Sequence, residues 1–367
     1  MGHYVFQLCR ELESLLPEAQ FFAYSRLPAD RLALPSPRWT LRQEPLSALR
    51  RVPSFAWLRT RGAQLCAHDR LDVFWAGRTL HPGLAAPVRT VVTVHDLNHR
   101  LVPETMQAAT RWSHRLWFDR DVASANAVLA NSQGTAGRVH ALLKRRVDGV
   151  VPPGLAPQFQ PLTAEALAAA REPLHALGIR PPYLLSVATL EPRKNVVALF
   201  RAFSNLKRAG ELPGHQLVLV GAKGWQDPAL ERELLDAHEL GVLMAGYVPD
   251  ALMPALYASA DALVCPSLYE GFGMPVLEAR ACGTRVVIAD VPELREAGGP
   301  HATVVAPTVD GVREGLRHAL TSPVVPEPDL ARQHDWRHSA ATLAAALRPM
   351  PPSASHPLLR DGAARTS

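Results

Sequence analysis

Short apolar runs rich in Val, Leu, Ile and Ala recur along the chain at residues 90–94, 127–130, 183–188, 216–221, 242–245, 261–265, 285–289 and 303–306. Between them lie stretches in which apolar positions return every three or four residues, as at 108–124, 195–208 and 228–240. Continuous apolar runs predict strands buried on both faces, and the intervening periodicity predicts helices covering them. The fold class expected is therefore α/β, with parallel sheets sandwiched by helices. Two such blocks divide the chain, at 1–155 and 181–325. Residues 156–180 form an interdomain connection with one predicted helix over 164–177, bracketed by the Pro152-Pro153-Gly154 and Pro181-Pro182 breakers. A helix over 330–347 lies within the segment 326–350, and the tail 351–367, rich in Pro, Ser and Gly, is expected to be disordered. The first block is irregular: a helical pattern over 4–16 comes where a doubly wound domain opens with a strand and glycine turn.

With 367 residues, 47% of them hydrophobic and 20% charged, the chain can build two ordinary cores. It has no apolar run long enough to span a bilayer and no basic-then-apolar leader, so a cytoplasmic protein is expected. Four scattered cysteines show no metal-ligand spacing and read as reduced thiols. The net charge of +5 comes without an aromatic-interleaved basic stripe, which argues against nucleic acid and suits anionic ligands or lipid. Asp119-Arg120-Asp121 looks like a metal-binding Asp-x-Asp, but within a helix i and i+2 side chains diverge, so it reads as a solvated face and no metal is expected.

Chemistry concentrates after two strands. Following the run 261–265, Glu270-Gly271-Phe272-Gly273-Met274-Pro275 opens a helix whose first turn contains Pro275. Backbone N–H groups of such a turn, with the positive helix end, form an anion site. Glu270 and Glu278, eight positions apart, would then accept hydroxyls on either side of the anion, the outline of a nucleotide-sugar. A surface helix with two solvated glutamates also fits that spacing taken alone. Following the run 183–188, Arg193 and Lys194 offer adjacent cations at a strand's carboxyl end, the usual ligand side of an open α/β sheet. A solvated pair is the competing reading, although cations at a helix start oppose its dipole. His95 and Asp96 end the run 90–94 and face the crevice between the blocks, either to contact a sugar or simply to cap a strand. Gly246, Tyr247 and Val248 follow another strand, where their backbone can pair with a nucleobase edge, ahead of a helix with Asp250 as its N-cap.

These residues resemble retaining glycosyltransferases of the glycosyltransferase family 4 type, with the GT-B fold of two Rossmann-like domains facing across a cleft. The matching runs are Val92-Thr93-Val94-His95-Asp96-Leu97, Asn131-Ser132 with Pro152-Pro153-Gly154, Leu190-Glu191-Pro192-Arg193-Lys194-Asn195, Val218-Leu219-Val220-Gly221, Gly246-Tyr247-Val248 and Glu270 to Ala279 with Cys282-Gly283. The resemblance implies an acceptor-side domain over 1–155 lacking its first strand, and a nucleotide-sugar-binding domain over 181–325. It implies a helix after Asp335-Trp336 that packs back on the first domain. It further implies that Arg193 and Lys194 hold the donor diphosphate, with Thr189 nearby, that Glu278 takes the ribose and that Glu270 takes the donor sugar. Phe272 and Gly273 would offer backbone N–H groups, and His95 would sit near the reacting carbon. Two positions depart from the family: Thr189 where many relatives carry arginine, and Ala188 where glycine is usual.

The expected activity is metal-independent transfer of a hexose, mannose or rhamnose, from a nucleotide-sugar to a glycan or lipid-linked acceptor in surface polysaccharide synthesis. Retention would use the departing phosphate as base, and no cofactor is needed beyond the donor. A nucleotide-sugar-binding protein with impaired catalysis, through loss of the opening strand and glycine loop, is the alternative. A dehydrogenase is disfavoured because no Gly-x-Gly-x-x-Gly with a following acid stands in place. The segment 38–70, with Arg42, Arg50, Arg51, Arg59 and Arg61 beside Leu46, Leu49, Phe55, Trp57 and Leu58, suggests a peripheral contact with anionic membrane or an ordinary solvated helix pair.

Overall fold

The computed structural model describes residues 2–27, 34–84, 88–222 and 239–348. The predicted helix over 228–240, apart from its last two residues, and the tail 351–367 lie outside them. Two α/β domains face one another. In the rear domain, strands β7 (Tyr183–Val187), β8 (Gln216–Val220), β9 (Val242–Gly246), β10 (Ala262–Cys265), β11 (Val286–Ala289) and β12 (Thr303–Val305) form one parallel sheet in the order β12-β11-β10-β7-β8-β9. Leu184, Leu185, Leu217, Val218, Val287 and Ile288 are fully buried, feeding an apolar cluster on each face of the sheet. That two-sided burial is why these strands read as unbroken apolar runs.

The front domain is divided among its described residues. β3 (Val73–Ala76), β4 (Arg89–Val94), β5 (Ala127–Ala130) and β6 (Gly149–Val150) make one parallel sheet in that order. β1 (Phe21–Ser25) and β2 (Trp39–Gln43) form a separate parallel pair. Helices α1 (Gly2–Leu15), α2 (Ser54–Trp57), α3 (Ala63–His68), α4 (Asn98–Leu101), α5 (Ala108–Ser124) and α6 (Gln133–Leu143) surround them, with α2 and α3 joined by a π-helical turn. The sequence pattern missed β1, β2, β3 and β6, whose residues are mostly half-buried or too few to show a period.

Helix α7 (Ala164–Ala176) occupies the connection, and α8 (Val196–Arg208), α9 (Met253–Ala258), α10 (Met274–Ala281), α11 (Pro292–Gly298) and α12 (Val309–Thr321) cover the rear sheet. The chain then returns to the front domain. The predicted single helix over 330–347 is two helices, α13 (Leu330–Gln333) and α14 (Trp336–Leu347), because the Asp335 carboxylate accepts from Arg337 N at 3.1 Å and starts a new helix. Trp336, Ala340 and Leu343 of α14 pack with Tyr4, Leu8 and Leu12 of α1. A side chain at Gly154 would meet the Trp336 ring at 2.5 Å, so the Pro152-Pro153-Gly154 turn is shaped by this return. Asp250 is not an N-cap: it opens a 3-10 turn ahead of α9 and its side chain caps nothing.

Candidate active site

The rear sheet reverses its winding between β7 and β10, and the crevice at the carboxyl ends of these two strands is where open α/β sheets bind ligands. Both candidate loops emerge there. After β7, residues Pro192–Lys194 form a 3-10 turn closed by Asn195 in the left-handed region, φ 55°. The Asn195 amide donates to Pro266 O at 3.1 Å and Pro307 O at 2.9 Å, tying this loop to the one after β10. Arg193 and Lys194 are thereby aimed at Glu270.

Glu270, 6% exposed, accepts from Lys194 Nζ at 2.6 Å, Arg193 Nη1 at 3.0 Å and Ser267 Oγ at 2.7 Å. Burial alone would push its carboxyl up, but Lys194 and Arg193 outweigh that and hold it at about 2. Arg193 also donates to Tyr269 O at 2.7 Å and to Glu191 at 2.5 Å. Burial works against its charge, yet Glu270 and Glu191 raise its pKa. Glu191 and Ser267 were not among the expected site residues, although Glu191 stands in the quoted run. Lys194 has N–H groups left over for a ligand, since Glu270 takes one of three. Among the described residues, the amides of Phe272 and Gly273 meet no acceptor, and Gly273 turns the chain at φ 108° into α10 with Pro275 in its first turn. Unpaired amides at a helix start beside a lysine can hold an anion.

Gly271 also packs one domain against the other. A Cβ there would lie 2.3 Å from His95 O, so glycine is required where the two domains touch. Its carbonyl accepts from Ser132 Oγ at 2.9 Å and Thr135 Oγ1 at 3.2 Å, and Tyr269 Oη accepts from Leu97 N at 2.7 Å. Farther out, Arg138 pairs with the fully buried Glu293 at 2.5 Å, and Gln133 N donates to Glu296 at 2.7 Å. Ser132 caps α6 by accepting from Thr135 N, which turns both hydroxyl side chains toward the loop. Asn131-Ser132 stands among the matching runs, but nothing in the sequence pattern ties it to Gly271.

His95 is buried on the front side of the crevice. Its Nε2 lies 2.7 Å from Gly77 O, and its ring meets Tyr4 edge-on at 4.9 Å. A carbonyl only accepts, so Nε2 carries the proton and Nδ1 is an acceptor. Burial lowers its pKa, which keeps the ring neutral at pH 7. A cavity of about 590 Å³ joins it to Asp96, Arg26, Met106, Glu191 and Arg193, spanning the two domains.

The remaining predicted residues lie around the rear half of the crevice. Glu278, on α10, accepts from Tyr257 Oη at 2.8 Å; burial raises its carboxyl to about 7. Gly246 accepts from Gly221 N at 2.8 Å, Tyr247 is 76% exposed, and Val248 is buried. Thr189 is exposed, Met274 and Pro275 are half-buried, and the Phe272 side chain is packed in the core beside His334.

Two surface readings need correction. Asp121 is not solvated: it is buried, accepting from Arg59 at 2.6 Å and His81 N at 3.1 Å, while Asp119 pairs with Arg100. The segment 38–70 is not a free basic face either. Arg42 grips Asp69, Arg61 pairs with Glu44, Arg38 donates to the carbonyls of Glu13 and Pro17, and Trp57 is buried.

Two family models match this chain: Glycosyltransferase Family 4 over residues 1–159 and Glycosyl transferases group 1 over residues 175–340. The chain is 29% identical over 293 residues to the O-antigen chain mannosyltransferase B of Escherichia coli, covering 76% of this chain and 72% of that protein. In fold it is similar to sucrose-phosphate synthase from Thermosynechococcus elongatus, with TM-score 0.67 and 20% identity over 94% of this chain and 88% of the other. It is also similar to WaaG, a glycosyltransferase involved in lipopolysaccharide biosynthesis, with TM-score 0.63 and 19% identity over 94% and 91%. With one model on each domain and a shared two-domain architecture, the chain belongs to the glycosyltransferases of the family 4 type and has the GT-B fold.

Proposed function

We propose that this glycosyltransferase moves a mannosyl residue from a nucleoside-diphosphate sugar to a glycan or lipid-linked acceptor in surface polysaccharide synthesis, with retention and without a metal or cofactor. The choice of mannose over rhamnose is supported by the name of the Escherichia coli relative. The observation that carries the reading is the meeting of Arg193 and Lys194 on Glu270, in the same loop as the unpaired Phe272 and Gly273 amides at the sheet's switch point. When the glycosyl bond breaks, negative charge grows on the leaving phosphate, and preorganised donors there stabilise it by roughly 3 kcal/mol each.

Retention through the departing phosphate is supported by the state of the nearest carboxylate. Glu270 is held by three donors with a pKa of about 2, which makes it a weak nucleophile and a good brace for Lys194. His95, neutral with Nδ1 accepting, is suited to a sugar hydroxyl, and the cavity spanning both domains suits the acceptor. An acceptor carried on lipid would place the protein at the inner face of a membrane.

The test is a thermal-shift panel of nucleoside diphosphates and nucleotide-sugars, followed by transfer of labelled sugar to a soluble acceptor glycan and NMR assignment of the product anomer. Selective stabilisation by one nucleotide and a retained anomer are expected. An inverted anomer would remove the mechanism, and no stabilisation by any nucleotide would remove the donor site.

A further inference from the structure

Helix α5 has two unlike faces. Phe118, Asp121 and Val122 are buried and fix it to the front domain. On the opposite side Trp112 and Leu116, one helical turn apart, are 61% and 55% exposed. Arg111 and Arg115, also one turn apart, are exposed beside them. Among the described residues no hydrogen bond or ion pair involves either guanidinium. Arg38, Arg42, Arg59, Arg61 and Arg100 of the same domain are engaged in internal bonds, while Arg51, Arg70, Arg120 and Arg146 are exposed as these two are. The acidic residues of α5 do not offset them, since Asp119 is paired with Arg100 and Asp121 is buried under Arg59.

We propose that this face of α5 is the surface by which the protein docks on an anionic bilayer. A large ring and an aliphatic side chain with two arginines along one side suit the boundary between headgroups and acyl chains, with apolar groups inserted and cations among lipid phosphates. Charge selects this occupant. A second copy packed symmetrically on the same patch would oppose arginine to arginine, whereas an anionic sheet is complementary to them and to the chain's net charge of +5. Position supports it too: Thr110, Ser113 and His114, on the adjoining side of the same helix, line the cavity shared by the two domains. A lipid-linked acceptor held in the bilayer would therefore meet the cavity beside its own anchor. The assignment deepens the proposed function and rests on its membrane-borne acceptor.

The experiment is co-sedimentation of the full chain with phosphatidylcholine vesicles, with and without phosphatidylglycerol, at low and high salt. The variants are Trp112→Ser with Leu116→Ser, Arg111→Glu with Arg115→Glu, and a charge control, Arg332→Glu with Arg337→Glu. Expected are salt-sensitive binding that needs phosphatidylglycerol, a loss of at least about tenfold in both α5 pairs, and less than about twofold in the control. Equal loss in the control, unchanged binding of the α5 pairs, or wild-type indifference to phosphatidylglycerol would overturn the assignment. So would an α5 pair that converts a lipid-free oligomer to monomer, since the face would then be a protein contact. Nucleotide binding and transfer to a soluble acceptor should persist in all variants. Their absence from the wild type would sink the proposed function while leaving the docking result readable.

Discussion

The two domains reach stability by different means. The rear sheet is six strands wide, and an apolar cluster of buried side chains covers each of its faces. The front domain, split into a sheet and a strand pair, has apolar clusters around β4 and β5, and charged side chains fasten the strand pair and the helices beside it. Asp69 takes Arg42 at 2.7 Å and Tyr24 Oη at 2.8 Å. Glu44, fully buried, takes Trp57 Nε1 at 2.9 Å, Arg61 at 3.2 Å and Leu46 N at 3.1 Å. Apolar burial tolerates changes in pH and salt, while a carboxylate held by donors loses its function as a staple once protonated. In the proposed reaction the rear domain would be the ligand platform, and the strand pair of the front domain is the part that depends on charge.

The sharpest way to break this division is at the platform. Lys194→Ala should lower the turnover number at least about a hundredfold while leaving the unfolding midpoint near wild type, since Glu270 keeps Arg193 and Ser267. Steady-state transfer beside circular dichroism checks both halves, and near-normal turnover would remove Lys194 from the diphosphate. Gly271→Ala comes next. Its methyl would press on His95 O and part the domains, so turnover should fall about ten- to a hundredfold by misplacing groups across the crevice. Nucleoside-diphosphate binding, measured by calorimetry, should persist; if it vanishes with turnover, the platform is not confined to the rear domain.

Acid separates the domains next. The Asp69 carboxyl is held low by Arg42 and Tyr24 despite burial, and burial of Glu44 is outweighed by Trp57, Leu46 N and Arg61. Both pKa values are depressed by folding, so the stability they add is present above the ordinary carboxylate range and is lost as pH falls through the folded values. Glu270 keeps its charge down to about 2. On acidification from about pH 6 to about pH 3, fluorescence of the front domain's Trp39, Trp57 and Trp75 should report unfolding before the rear domain's helical signal is lost. A single coincident transition would show that the two domains share one fate.

The smallest effect concerns Glu278, raised by burial to about 7 from an ordinary 4.5. The folded state binds this proton more tightly, so the stability it adds is full below 4.5 and is lost as pH rises through about 7. Urea midpoints at about pH 6 and pH 8 should therefore fall in the ligand-free wild type and change less in Glu278→Gln. Equal slopes would place the proton elsewhere.

The same contrast explains what the sequence disclosed. The rear strands are legible because runs such as Leu217 to Val220 are hydrocarbon on both faces, and the crevice residues follow them directly. β1 and β2 carry Tyr24, Trp39 and Arg42, whose partners Asp69 and Glu13 are far away in sequence, so no local period betrays them. The break between α13 and α14 depends on one carboxylate, which a periodic apolar pattern passes over. Gly271 was read as a ligand glycine because Gly-x-Gly fits that chemistry; only its distance from His95 O reveals the domain contact. Arg193 and Lys194 were recognisable as cations, but their meeting with Glu270 depends on Asn195 bridging two loops.

The loop that opens α10 presents its amides on one side and gives its Gly271 carbonyl to Ser132 and Thr135 on the other. Parting the domains would strip that segment of its outer support, and a ligand seated on the amides would brace it. Occupancy of the crevice and closure of the domains would then be coupled through this one loop.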